Sequence, residues 1–474
     1  MNPVGQIEQQ EEQEEQEEQY SWVYFQKLVK KKYSDTVSFG CATEKQEIFD
    51  VNAIKERLSK DYVVYLIKTA QEHHSGLSEK EKDDLVEMIN DDNKTIFAIA
   101  VYSSTQLKCL KEILKTENDN SLPLTSGSST GHVNKTSFIA HQAPFCVHMI
   151  KGNCYNLEFN NHRFLPITYD EEADSLGEGY TANVYSVRIS KGWHDFSTTA
   201  PNFNRFAMKV IHKPDKTDRE ERFLRDTREI RHKNLTKCYS AFYYRDFYYI
   251  ISERATCNLE TVLKMNPNEV QNEIWLRKQM QGLAGALKRV HFIDSTRTGY
   301  IHDIKPENIL AFEDDGWTLK LADWGCAKVS ELTVKGSHES LPKINPTYLP
   351  PESPNGSQPT SRPHDIFSLG CVFLQMSVWI HDFSALGGLS GGQNGQDDGF
   401  WEGTGENKEL RAAVKNQLLE SSEIPFDLVK IIKLMLQIDP TERINAQRLV
   451  KMLGNLGKSK DKEEKQEEKT DNPN

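Results

Sequence analysis

The sequence predicts an α+β protein in which a small helical module precedes a larger region that contains both strands and helices. Apolar residues recur at helical spacing from about Tyr20 to Leu114. Two later segments are predicted to be buried strands: Phe206–Lys209 is apolar except for its final lysine, and Phe247–Ile251 is aromatic and β-branched. Apolar residues return at helical spacing between Trp275 and Val290, which predicts a long amphipathic helix.

Length, charge and composition restrict the class of protein. A chain of 474 residues is too long for one ordinary core. Its net charge of −12 gives no support to nucleic-acid binding, which needs a basic face. The N-terminus lacks the pattern of a secretory signal, and no run approaches the roughly 20 apolar residues of a membrane span. We therefore expect a cytoplasmic or nuclear protein with no nucleic-acid or membrane partner.

Shifts in composition predict the domain boundaries. Residues 1–19 are almost entirely Glu and Gln and are too polar to bury a core, so we expect a disordered tail. Residues 20–117 form the predicted helical module, and residues 118–166, which begin with a run rich in Ser, Gly, Asn and Thr, form a linker and connecting segment. Residues 167–457 form the main domain, and a second disordered tail of Lys and Glu covers residues 458–474.

Two details concern the helical module. The run from Ser78 to Glu81 has the form of a capping box and precedes apolar residues at helical spacing. The apolar run from Ile96 to Tyr102 fits either a buried helix or a strand.

A glycine-rich segment, Leu176–Val184, has the form of a turn between two strands. Gly177 and Gly179 would let backbone N–H groups approach nucleotide phosphates, because side chains at these positions would block them. Ala182 stands where such turns often have a third glycine. The same spacing also occurs in ordinary hairpins.

Lys209 ends an otherwise apolar strand, and a buried ammonium requires an anion such as a phosphate. A glutamate on the next helix is its expected partner. Glu220 is favoured because it shares a helix face with Phe223 and Leu224. Glu221 and Glu229 are the alternatives, and all three could be surface residues of a charged helix.

The segment Asp303–Asn308 contains the residues that phosphoryl transfer requires. Asp303 can orient a substrate hydroxyl, Lys305 can steady the transferred phosphate, and Asn308 can hold magnesium. Asp323, in the sequence Asp-Trp-Gly, supplies a second oxygen ligand for magnesium.

From roughly Ile167 to Leu453 the sequence resembles the eukaryotic protein kinase family in the order of these motifs. The resemblance implies a bilobal fold, with a small strand-rich lobe over a larger helical lobe. It also implies ATP and magnesium as cofactors and protein substrates, with Lys305 favouring serine and threonine over tyrosine. The catalytic residues implied are Asp303, Lys305, Lys209 and Glu220, and the magnesium ligands are Asn308 and Asp323. The ATP-binding residues implied are Leu176, Gly177, Glu178, Gly179, Tyr180, Ala182, Val184, Ala207, Lys209, Glu253, Ala255 and Leu310.

Motifs in the C-terminal half agree with this resemblance. Tyr348–Glu352 is similar to the end of a kinase activation segment, and Asp439–Arg443 to the late arginine motif. The resemblance implies a buried ion pair between Glu352 and Arg443. The double proline before Glu352 and the helical N-terminal module are similar to features of loosely classified kinases of filamentous fungi.

The main departure from the family lies before Asp303, where Ile301 and His302 replace the usual histidine and arginine. In many kinases that arginine binds a phosphate on the activation segment, so we predict activity without segment phosphorylation. The alternative function is an inactive pseudokinase scaffold that binds partners through the helical module. This module could also mediate oligomerisation or autoinhibition.

Overall fold

The structure is a computed structural model. It describes residues 21–40, 45–70, 76–125, 136–178, 182–196, 204–212, 219–267, 272–313, 316–331, 346–353, 361–389, 399–419 and 423–456. The chain forms two compact units. The first comprises residues 1–213 and 239–251, and the second comprises residues 214–238 and 252–474.

The N-terminal part of the first unit is mainly helical. Most of its buried apolar residues between Trp22 and Cys146 form one hydrophobic core. The predicted capping box is present, since Ser78 and the side chain of Glu81 cap the same helix reciprocally. The apolar run from Ile96 to Tyr102, which fitted either a helix or a strand, forms a helix. The helices are α1 (Trp22–Lys32), α2 (Val51–Arg57), α3 (Lys60–Lys68), α4 (Glu79–Met88), α5 (Lys94–Tyr102), α6 (Leu107–Leu114) and α7 (Thr136–His141).

Two strands correct the expectation that this region is helical alone. Strand β1 (Ser34–Gly40) pairs antiparallel with β2 (Lys45–Phe49) and parallel with the later strand β4 (Tyr169–Asp170). Val37 and Ile48 are buried in a second core that also contains residues of the small sheet. The N-terminal region is therefore joined to the small sheet by shared apolar packing within one unit.

Residues 118–125, predicted as the start of a linker, are packed instead. Leu122 and Leu124 are buried in the helical core. The carboxylate of Asp119 accepts hydrogen bonds from the backbone N–H groups of Thr95 and Ile96, which begin helix α5. Two leucines and a capping aspartate thus tie this polar run to the helical core.

The small sheet contains the predicted strands. Among the described residues its order is β3–β8–β9–β7–β6–β5. The strands predicted at Phe206–Lys209 and Phe247–Ile251 are confirmed. The bounds are β3 (Leu157–Glu158), β5 (Ser175–Glu178), β6 (Ala182–Arg188), β7 (Arg205–His212), β8 (Cys238–Tyr244) and β9 (Phe247–Ser252).

The second unit is mainly helical and also contains short strand pairs. The predicted long helix is confirmed as α10, and α11 is buried along nearly its whole length. No helix among the described residues is long and apolar enough to cross a membrane. The helices are α8 (Arg219–Asp226), α9 (Leu259–Leu263), α10 (Glu273–His291), α11 (Arg362–His381), α12 (Ala412–Leu419), α13 (Phe426–Met435) and α14 (446–456). The strands are β10 (Cys257–Asn258), β11 (Arg297–Tyr300), β12 (Ile309–Phe312), β13 (Thr318–Leu321), β14 (Lys328–Glu331), β15 (Trp401–Glu402) and β16 (Glu409–Leu410).

Candidate active site

In the first unit, strand register places several predicted ATP-binding residues on one face of the small sheet. Val184 lies directly opposite Lys209 on the paired strands β6 and β7, and Ala182 lies opposite Ile211. Residues directly opposite each other share a face, and alternate residues of a strand do so too. Ala207 therefore belongs to the same face as Lys209. The other face packs into the core through Tyr185, Val187, Phe206 and Met208.

The glycine-rich segment is described in part. A Cβ atom built at Gly177 would meet no atom within 4 Å, so there is open space beside this backbone. Leu176 is 46% exposed, although its position in the motif predicts contact with a nucleotide. Glu178 lies on β5 opposite Asn183. Gly179 and Tyr180 lie outside the described residues.

Helix α8 of the second unit carries the predicted glutamate. Glu220 is buried, with 4% of its surface exposed, as are Phe223 and Leu224 on the same face. Glu221 forms a 3.4 Å ion pair with Arg225 along the helix, and the side chain of Glu229 is 89% exposed. Glu220 is therefore the most deeply buried of the three glutamates, and a buried carboxylate requires a cationic or hydrogen-bonding partner. Its pairing with Lys209 stays a prediction.

Two of the predicted site residues, Lys305 and Asn308, contact the carboxylate of Asp303. Lys305 Nζ and Asn308 Nδ2 each donate to Asp303 Oδ2 at 2.8 Å. Asn308 Nδ2 also donates to the backbone oxygen of Asp303 at 2.9 Å. Burial lowers the pKa of Lys305, but the charge and hydrogen bond of Asp303, together with the charges of Glu307 and Asp323, raise it above its ordinary value. Lys305 therefore stays protonated beside the carboxylate.

Helix α11 holds the backbone of this loop through Asp365, a residue for which the sequence predicted no role. Its fully buried carboxylate accepts from the backbone N–H groups of Ile301 (3.0 Å) and His302 (2.7 Å) and pairs with His291 Nε2 (2.8 Å). Burial alone would raise the pKa of Asp365, but the hydrogen bond from His291 and the neighbouring imidazoles lower it to about 2. The loop is therefore anchored on an ionised aspartate.

Strand pairing brings Asp323 next to Asn308. Ile309 of β12 lies opposite Leu321 of β13, and the backbone N–H of Ala322 donates to the backbone oxygen of Asn308 at 3.0 Å. Asp323 follows with φ +60°, in the left-handed region that side chains rarely adopt. Such strained backbone concentrates at functional sites.

The next residue, Trp324, is 9% exposed, and its ring stacks on Phe223 of α8 at 5.1 Å between centroids. This apolar contact fixes the backbone directly after Asp323.

Glu253 and Ala255, two of the predicted ATP-binding residues, lie just before a short strand pair. Thr256 N donates to the oxygen of Ala311 at 3.0 Å, which places Ala255 beside strand β12. Leu310 on that strand is half-buried, whereas its neighbours are buried. The carboxylate of Glu253 is used structurally, since it accepts from Lys237 N and pairs with Lys320 at 2.6 Å. Its side chain is therefore committed to the fold, and only its backbone could contact a nucleotide.

Within the second unit, two residues fit the magnesium ion that the motifs imply. Asp323 provides a carboxylate, and Asn308 provides an amide oxygen, because its nitrogen is the atom that donates to Asp303. Carboxylate and amide oxygens are suitable magnesium ligands. The open space at Gly177 is room that a side chain would remove.

The ion pair implied by the resemblance is confirmed. Arg443 donates to both carboxylate oxygens of Glu352, at 2.5 and 2.6 Å, and its side chain is fully buried. It also donates to the backbone oxygens of Gln437 and Ile438. Such a two-pronged contact is the strong geometry for an arginine–carboxylate pair.

Residues 171–453 match the model of the protein kinase domain family, which is more than half of the chain. The chain belongs to the protein kinase family. The α+β kinase fold predicted from the sequence is confirmed by this match.

Curated relatives are similar at modest identity. Cyclin-dependent kinase 2 of Caenorhabditis elegans is 29% identical over 182 residues, which is 36% of this chain and 46% of that protein. The probable serine/threonine-protein kinase nek3 of Dictyostelium discoideum is 28% identical over 222 residues, which is 45% of this chain and 17% of that protein. Mitogen-activated protein kinase hog1 of Blastobotrys adeninivorans is 29% identical over 265 residues, or 51% and 61%. The chain thus spans less than two thirds of the length of each.

Proposed function

We propose that the protein is an ATP- and magnesium-dependent protein kinase that phosphorylates serine and threonine residues of protein substrates. The observation that carries the proposal is the carboxylate of Asp303, held by Lys305 and Asn308 on a loop that Asp365 anchors. The name of the Dictyostelium discoideum relative supports the serine/threonine assignment. The placement among kinases of filamentous fungi and a cytoplasmic or nuclear location stay predictions.

In the proposed reaction, the substrate hydroxyl oxygen attacks the γ-phosphorus of ATP. The new O–P bond forms as the bond to the ADP oxygen breaks, and the hydroxyl proton passes to the carboxylate of Asp303. Lys305 stays charged beside this carboxylate and steadies the transferred phosphate. Magnesium held by Asn308 and Asp323 would neutralise phosphate charge. Lys209 and the glycine-rich segment would bind the phosphates.

The proposal is tested by transfer of radiolabelled phosphate from ATP to a serine/threonine peptide array. Asp303→Asn should lower the rate by about 10²–10⁴-fold, because it removes the proton acceptor while preserving shape. The control is Asp246→Asn, an exposed aspartate on the β8–β9 turn, which should act like the unmodified chain. Equal near-background rates for all three proteins would reject the kinase and favour the pseudokinase scaffold.

A further inference from the structure

A hairpin of the second unit, residues 399–411, contacts the segment Tyr348–Ser353. The indole Nε1 of Trp401 donates to the backbone oxygen of Leu349 at 2.8 Å. The ammonium of Lys408 donates to the backbone oxygen of Pro351 at 2.5 Å and lies 5.6 Å from the centroid of the Trp401 ring. One donor therefore comes from strand β15 and the other from the residue just before β16, and the two support each other through a cation–π contact.

Apolar packing adds to these hydrogen bonds. Phe400, the residue before Trp401, is fully buried, and its ring lies 5.7 Å from that of Tyr348. The hairpin is closed by a turn at Gly403, where φ is +92° and a Cβ atom would clash with the oxygen of Asn407. Glycine is required there because only it fits this turn.

The sequence of the segment explains why it needs donors from outside. Pro350 and Pro351 have no N–H group, so this stretch has few donors of its own. The oxygen of Pro350 is satisfied locally by the N–H of Ser353. The oxygens of Leu349 and Pro351 are satisfied by the hairpin. Each carbonyl across the double proline therefore has a defined partner.

The same segment shares its support with the catalytic loop. Ser368 Oγ of α11 donates to the backbone oxygen of Tyr348 at 2.9 Å, and the hydroxyl of Tyr348 donates to Gln375 at 3.2 Å. Helix α11 also carries Asp365, which holds the loop before Asp303. Burial raises the pKa of Tyr348, and the charge of Glu307 in the catalytic loop adds to that effect. The segment thus lies near the residues proposed to transfer phosphate.

We infer that Trp401 and Lys408 are positioning residues that keep the segment Tyr348–Ser353 in the conformation that receives the protein substrate. The inference rests on the proposed function and deepens it. The contacts of the hairpin with the segment require no phosphate. In the absence of these two donors the segment would be competent for a smaller fraction of the time. The apparent affinity for substrate is the intrinsic affinity multiplied by the competent fraction, so it would fall in proportion.

The test uses the full chain after phosphatase treatment and the best peptide from a degenerate serine/threonine array. Lys408→Met removes a charged donor and should raise KM for the peptide about tenfold, and Trp401→Phe, which removes a neutral donor, about threefold. KM for ATP should stay unchanged. Lys408→Arg should restore most of the peptide affinity, since it also donates.

The matched control is Lys415→Met. Lys415 lies on helix α12 and pairs with Glu409 of the hairpin, but it is not among the donors to the segment. A second readout does not need activity. Hydrogen exchange at the amides of Leu349 and Ser353 should be faster in Lys408→Met than in Lys415→Met.

The two readouts separate the two hypotheses. If exchange accelerates as expected but no variant phosphorylates any peptide, the kinase assignment fails and the hairpin contact stands without its role in substrate binding. If the chain is active, and Lys408→Met and Lys415→Met agree in peptide KM and in exchange, the inference is wrong.

Discussion

The catalytic loop and the N-terminal region are held in place by different kinds of contact. The loop around Asp303 is fixed by hydrogen bonds to side chains far along the chain, above all Asp365. The N-terminal region is fixed by apolar residues such as Val37 and Ile48, which share a core with the small sheet. Residues that perform chemistry are recognisable by type and spacing. Residues that only pack are of the same apolar types in every core, so the sequence does not show which core they join. For this reason the sequence predicted a separate module where the structure has a shared core.

The largest expected effect comes from removing the N-terminal region. A chain that begins at Ile167 loses Val37, Ile48, Val147 and Ile150 from the core beneath the small sheet. Each buried aliphatic side chain contributes about 1.5–3 kcal/mol, and a whole domain is stable by only about 5–15 kcal/mol. We expect no cooperatively folding protein, as measured by gel filtration and thermal denaturation.

The control for this truncation begins at Ser21, which retains every contact described for the region. It should melt like the full chain. A monomeric chain starting at Ile167 that melts at the same temperature would show that the region is a dispensable module after all.

The Glu352–Arg443 pair tests how much one buried ion pair contributes to the stability of the second unit. Glu352→Gln leaves a fully buried guanidinium without its counter-charge and should lower the free energy of unfolding by about 3–5 kcal/mol. Adding Arg443→Met should cost less than the sum of the two single changes, because the partners interact. Urea denaturation measures all three variants.

Lys264→Met provides the comparison, since Lys264 pairs with Glu260 along an exposed helix face, where the side chains are 70% and 44% exposed. It should cost at most about 0.5 kcal/mol. Equal losses for the exposed and buried pairs would contradict the view that burial sets the difference.

The fold class was predictable, and candidate site residues were recognisable, because phosphoryl transfer demands specific side chains. Asp303, Lys305 and Asn308 stand close in sequence, and the structure brings them together. Glu220 could be preferred over its neighbours because helical periodicity indicates which face is buried.

Other features were not predictable from local sequence. Asp365 lies more than 60 positions from the loop that it holds, and an aspartate in the first turn of a helix usually suggests a cap. Trp401 lies among the glycines of residues 385–405 and Lys408 just after them, so neither stands in a recognisable motif. A side chain that makes a long-range hydrogen bond to a backbone atom leaves no pattern in the sequence around either partner.

A smaller expected effect concerns Arg163, which joins the N-terminal helical core to the small-sheet region by polar contacts. Its guanidinium donates to the backbone oxygens of Asp119 and Leu122 at 3.0–3.1 Å, and its own backbone oxygen accepts from the hydroxyl of Tyr244. Arg163→Met removes the guanidinium donors and should cost about 1.5–3 kcal/mol. Faster hydrogen exchange in residues 119–124 should accompany this loss.

Lys55→Met tests whether the backbone contacts or the charge of Asp119 matter more at this junction. Lys55 pairs with the carboxylate of Asp119 at 2.6 Å but is 31% exposed, so its loss should cost at most about 1 kcal/mol. The carboxylate would still cap helix α5 through Thr95 and Ile96. If Lys55→Met destabilised the chain as much as Arg163→Met, the junction would depend on the ion pair, and the N-terminal region would resemble the catalytic loop in using charge to fix its position.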